Sequence, residues 1–80
     1  RIRNVYRTVK RGIMNRLLEA LVARYNGQIL EAKANIDVYR NSVGIGEHSD
    51  IVAELDKQVA ILAEAEDKLE SVLKLLKEYE

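Results

Sequence analysis

The chain lacks cysteine, proline, phenylalanine and tryptophan. Without cysteine, neither a disulfide nor a thiolate metal site can brace it. That matters at 80 residues, because a chain this short buries a limited fraction of its surface and commonly draws on a staple or a partner. The missing thiols fit a reducing compartment. Apolar contacts are left mainly to Leu, Val, Ile and Ala. No apolar run approaches the ~20 residues of a membrane span, and no stretch has the layout of a signal peptide.

Groups that carry catalysis are equally sparse. Thr8, Ser42, Ser49 and Ser71 share one histidine, His48, so no set of nucleophile, base and orienting group is evident. The stretch "GIGEH" has neither the flanking strand nor the third glycine of a dinucleotide fingerprint. Glu47, His48 and Asp50 are the one cluster of metal-ligand types. A zinc site needs more His or Cys, and a calcium loop needs a longer run of oxygen ligands. The expectation is a protein that is not an enzyme and holds neither a metal nor a cofactor.

What the chain does have is charge, unevenly placed. The net charge is zero, yet residues 1–40 carry nine basic and three acidic side chains, and residues 41–80 carry four and ten. The opening "RIRNVYRTVKRGIMNR" is basic throughout, with no acid. Such asymmetry points to a charge match within the chain, to an acidic or nucleic-acid partner, or to both.

The apolar residues repeat with a helical period. Leu18, Val22, Tyr25, Ile29, Ala32, Ile36, Tyr39 and Val43 follow four-three spacing, as do Val52, Leu55, Val59, Leu62, Leu69, Leu73 and Leu76, interrupted only by Glu66. This spacing keeps one stripe facing a partner helix. Between the two series lies "NSVGIGEHS". Gly44 suits the left-handed end of a helix, Ser49 suits an N-cap, and Asp50 then falls in a first turn, where the helix dipole favours an anion. Folding back here sets Tyr39 opposite Val52, Ile36 opposite Leu55, Ala32 opposite Val59, Ile29 opposite Leu62, Tyr25 opposite Glu66, Val22 opposite Leu69 and Leu18 opposite Leu73. The expectation is an all-α, antiparallel two-helix hairpin, with a basic amphipathic segment at 1–12, a helix over about 13–42, a turn at 43–48 and a helix over about 49–79. Each arm spans about 45 Å at ~1.5 Å per residue. A bend or break is expected at Gly12, and a supporting ion pair between Glu64 and Lys68 at four-residue spacing.

The apolar face exceeds one seam. Ile51, Ala65, Val72 and Tyr79 run beside it, Ile61 and Leu75 widen it on the second helix, and Leu17, Leu21 and Leu30 do so on the first. Such a width suits a bundle, so self-association is expected, most simply a dimer closing into a four-helix bundle. Contact with a different protein is the rival. The candidate core and oligomer face comprises Leu18, Val22, Tyr25, Ile29, Ile36, Tyr39, Val52, Leu55, Val59, Leu62, Leu69, Leu73 and Leu76.

The first segment has nothing opposite it in the hairpin. Arg1, Arg3, Arg7, Lys10, Arg11 and Arg16 are candidates for phosphate or acidic-partner contacts, with Tyr6 able to stack on a base. Docking onto protein, binding nucleic acid, lying on an anionic membrane surface and a plain solvated terminus are the four readings of this segment.

The central stretch "KANIDVYRNSVGIGEHSDIVAELDKQVAILAEAEDKLE", Lys33 to Glu70, resembles small, mostly helical proteins of unknown function encoded by tailed phages of marine T4-like type. The resemblance rests on the Lys-Ala-Asn helix end, the Val-Gly-Ile-Gly-Glu-His turn and the Asp-rich start of the next helix. Ser42 stands where that pattern has a proline. The resemblance implies a viral origin, hence the cytoplasm of an infected cell or the virion, and brings no activity or functional residue with it.

Overall fold

Glu66 is the one side chain that breaks an otherwise apolar stripe, and it decides how the helices pack. In the computed structural model of the chain, residues 2–41 and 50–79 are described, with side chains from residues 10–41 and 50–79. Two helices account for these residues: α1, Ile2–Asn41, and α2, Ile51–Glu78. The break expected at Gly12 is absent, and α1 runs through it. A Cβ there would meet nothing within 4 Å, so packing does not demand glycine. Its cost of ~1 kcal/mol in helix propensity is a local one, spread over a helix of 40 residues.

The ends follow from backbone chemistry. Arg40 lies in the last turn of α1, where a cation complements the dipole. Asp50 stands at the N-cap of α2 rather than inside its first turn, with φ −148° and ψ 47°. Its carbonyl accepts from the Glu54 N–H at 3.1 Å, while its side chain makes no capping bond. Glu54 is the acid in the first turn. At the far end the Tyr79 N–H donates to the Leu75 carbonyl at 3.1 Å. The expected turn features, Val43, Gly44, His48 and Ser49, lie outside the described residues.

The helices pack against each other as a hairpin. The Asn35 side-chain amide donates to Gln58 Oε1 at 3.2 Å, and Lys68 Nζ sits 5.9 Å from the centre of the Tyr25 ring. As numbers fall along α1 they rise along α2, so the helices are antiparallel. The result is a rod, with principal extents of 69 × 14 × 13 Å.

On α1 the expected stripe is the packed one: Leu18 and Ala32 are buried, and Val22, Tyr25, Ile29, Ile36 and Tyr39 are half-buried. On α2 the expectation needs correcting. Leu55, Leu62, Leu69 and Leu76 face α1, but Val52, Val59 and Leu73 are 79%, 51% and 50% exposed. Their places in the seam go to Ile51, Gln58, Ala65 and Val72. The reason is desolvation. The line through Val52, Val59 and Leu73 includes Glu66, and burying an unpaired carboxylate is far more costly than burying an amide with a partner. Rotating α2 by one residue frees Glu66 to solvent and places Ala65 in the seam, only 2% exposed. It also brings in Gln58, whose Oε1 is satisfied by Asn35. Tyr25, expected opposite Glu66, has the Lys68 Nζ 5.9 Å from the centre of its ring.

Candidate interaction surface

A two-helix seam leaves two flanks, one on each side. Met14, Leu21, Gln28 and Asn35 recur every seven residues on α1, and Ile61, Lys68 and Leu75 do so on α2. Residues seven apart lie on one face of a helix. The Asn35–Gln58 bond joins the α1 line to the seam of α2, and a hollow of about 320 Å³ opens beside it, lined by Gln28, Glu31, Ala32, Asn35, Gln58 and Ile61. Ala32 forms the floor at 1% exposure. A second hollow of about 280 Å³, lined by Lys10, Arg11, Met14 and Tyr79, lies towards the end of α2. Both occupy the same flank.

That flank exposes Met14, Leu17, Ile61, Leu75 and Tyr79. The opposite flank carries the exposed Val52, Val59 and Leu73 on α2, beside the polar line Glu19, Asn26, Lys33 and Arg40 on α1. Leu30 and Val38 are also exposed.

Several charges are arranged in local pairs. Lys68 holds Glu64 at 2.7 Å, as expected from their spacing, and its Nζ also caps the Tyr25 ring. The hydrogen bond from Lys68, then its charge, lowers the Glu64 pKa below its ordinary value. The same hydrogen bond and charge raise that of Lys68. Lys57 meets Glu54 at 3.3 Å, Lys74 meets Glu70 at 3.4 Å and Arg40 meets Asp37 at 3.9 Å. All are exposed, so each contributes little to stability. Asn15 differs: its Oδ1 is buried without a hydrogen-bond partner among the described residues.

Of the basic candidates, Arg11 and Arg16 are exposed on α1, and Lys10 lines the second hollow with Arg11. Arg1 lies outside the described residues, as do the side chains of Arg3, Tyr6 and Arg7. Glu47 and His48 of the acidic turn cluster also fall outside them. Among the described residues, no group of three or more His, Cys, Asp or Glu side chains is gathered as for a metal. Nor is any described helix long and apolar enough to cross a membrane.

Reading the sequence alone missed Gln58, Ala65 and Val72 as seam residues. One signal pointed to them: Ile51, Ala65 and Val72 share a seven-residue repeat without an acid. The Asn35–Gln58 bond left no such signal, since two amides look like surface residues until a register brings them together. In comparisons with protein families, with curated proteins and with solved structures, the chain has no match.

Proposed function

We propose that this chain is a non-enzymatic helical module that works by self-association, most simply as a homodimer closing into a four-helix bundle. The supporting observation is surface left uncovered. The chain exposes 6737 Å². A folded monomer of 9.1 kDa exposes about 4,900 Å² by the usual scaling of area with mass, a surplus of roughly 1,800 Å². Eleven large apolar side chains are among the exposed ones, and a standard interface covers about 800 Å² on each partner. A phage origin, in an infected cell or on a virion, belongs to the same proposal and rests on the Lys33–Glu70 resemblance. Sedimentation or light scattering across concentration tests the association. A mass twice that of the chain at micromolar concentration is expected, and a strict monomer at high micromolar concentration sinks the reading.

A second reading is nucleic-acid binding through the basic start of α1. It draws on one observation: Tyr79 lies level with Lys10 to Met14, so residues 2–9 of α1 continue beyond the end of α2. Deleting residues 1–11 separates the two. Under the first reading the oligomer survives. Under the second a salt-sensitive shift of DNA or RNA is lost, and absence of any shift at low salt removes that reading.

A further inference from the structure

α1 has a second apolar face, and α2 does not cover it. Ile2, Tyr6, Val9, Ile13 and Leu17 are spaced four, three, four and four residues apart, and all belong to the one helix that runs from Ile2 to Asn41. At 3.6 residues per turn, these five positions share an arc of about 80°. The seam positions Leu18 and Val22 stand on the other side of the helix, so the arc lies on the side of α1 away from α2. The exposures agree: Ile13 is 55% and Leu17 59% exposed, while Leu18, the next residue, is 8% exposed. The face is also bounded. Continued past Leu17 at the same spacing, it carries Ala20, Arg24, Gly27 and Glu31. Its bulky apolar part is therefore confined to roughly the first four turns of α1.

The charges around this face are of one sign. Arg1, Arg3, Arg7, Lys10, Arg11 and Arg16 precede the first acid of the chain, Glu19. Position 16 borders one edge of the arc and positions 10 and 3 border the other, each within about 40° of it. Lys10 and Arg16 are exposed. α2, with seven acids against four lysines, lies behind α1, on the far side from the face.

We propose that the start of α1 lies flat on an anionic lipid surface, with Ile13 and Leu17 entering the headgroup boundary and the bordering cations meeting the lipid anions. An interfacial helix carries such an apolar stripe between cations. The aliphatic stems of those cations lie along the apolar layer while their heads reach the charged groups. One orientation of α1 satisfies both demands and holds the acidic α2 away from the surface. Nucleic acid would engage the cations but leave the apolar stripe in water, because phosphate contacts draw on charge. The mode is lying on a bilayer rather than crossing it, since no described helix is long and apolar enough to cross. The proposal does not depend on self-association: a single hairpin presents the whole face.

Co-sedimentation of the full chain with vesicles is the test, using phosphatidylcholine alone and phosphatidylcholine with about one-third phosphatidylserine. Binding is expected to the mixed vesicles and not to the neutral ones, and is expected to fall as salt is raised to ~0.5 M. Ile13→Ser combined with Leu17→Ser is expected to weaken binding at least about ten-fold, and Arg16→Gln about five-fold. Leu30→Ser removes an exposed apolar residue of α1 outside the face and is expected to bind like the parent. Circular dichroism checks that each variant keeps the parental helicity. Failure of the parent to bind the mixed vesicles at low salt overturns the proposal. So does parental binding by the I13S/L17S chain, because charge alone would then account for it. A shift of DNA or RNA that survives in the I13S/L17S chain, with no vesicle binding by the parent, assigns the cations to nucleic acid instead.

Discussion

Lys68 shows how one side chain is shared between a helix and the hairpin. It pairs with Glu64 within α2 and lies over Tyr25 of α1, a placement in which ammonium and ring attract through the ring quadrupole. The pair's pH dependence follows from the two shifts. The folded Glu64 pKa lies below its ordinary 4.5, so its contribution is present above that value and lost as pH falls through the folded pKa. The folded Lys68 pKa lies above its ordinary 10.5, so its contribution is present below that value and lost as pH rises through the folded pKa. Between these limits the contribution is complete and small, because both groups are exposed. Lys68→Met is therefore expected to return the Glu64 titration to the ordinary glutamate range, read by carboxyl NMR shifts, with little change in stability. An unmoved Glu64 titration would show that the pair does not form in solution.

At the scale of the element, α2 is set by which residue it keeps out of the seam. Ala65 is nearly sealed while Val59 is half exposed, so two substitutions of similar chemistry diverge. Ala65→Leu forces extra volume between the helices and is expected to destabilise the hairpin by about 1–3 kcal/mol. Val59→Leu adds its methylene on the outer face and should stay within about 0.5 kcal/mol of the parent. Urea unfolding of both variants measures the difference. Equal effects would mean that α2 is rotated back towards the line through Val59 and Glu66. The Asn35–Gln58 bond acts on the same element. A half-buried polar pair constrains how two helices pack at some expense in stability, and here it ties Asn35 of α1 to Gln58 of α2.

The whole molecule is a rod with few sealed side chains, since only Leu18, Ala32, Ala65 and Val72 are buried among the described residues. A hairpin with so small a core gains stability from whatever covers it. Association stabilises by mass action, so the melting temperature of a dimer rises with protein concentration. Across a hundred-fold range the midpoint is expected to climb by several degrees, followed by circular dichroism. A constant midpoint would mean that the hairpin melts alone.

Much of this was legible in the sequence. Four-three spacing, the absence of proline within the two apolar series and a single glycine-bearing interruption determine two helices folded back on each other. The α1 stripe from Leu18 to Tyr39, and Leu55, Leu62, Leu69 and Leu76 on α2, follow from that spacing directly. The second seam line of α2 did not. Val52, Val59, Glu66 and Leu73 have the same repeat as Ile51, Gln58, Ala65 and Val72, so periodicity cannot choose between them. Only the packed structure decides, because only there does Gln58 find Asn35 and only there is the desolvation of Glu66 avoided. That choice also turns Val52, Val59 and Leu73 outward and fixes which side chains flank the seam. Which apolar side chains the hairpin leaves exposed beside its seam is thus set by one carboxylate that must stay in water.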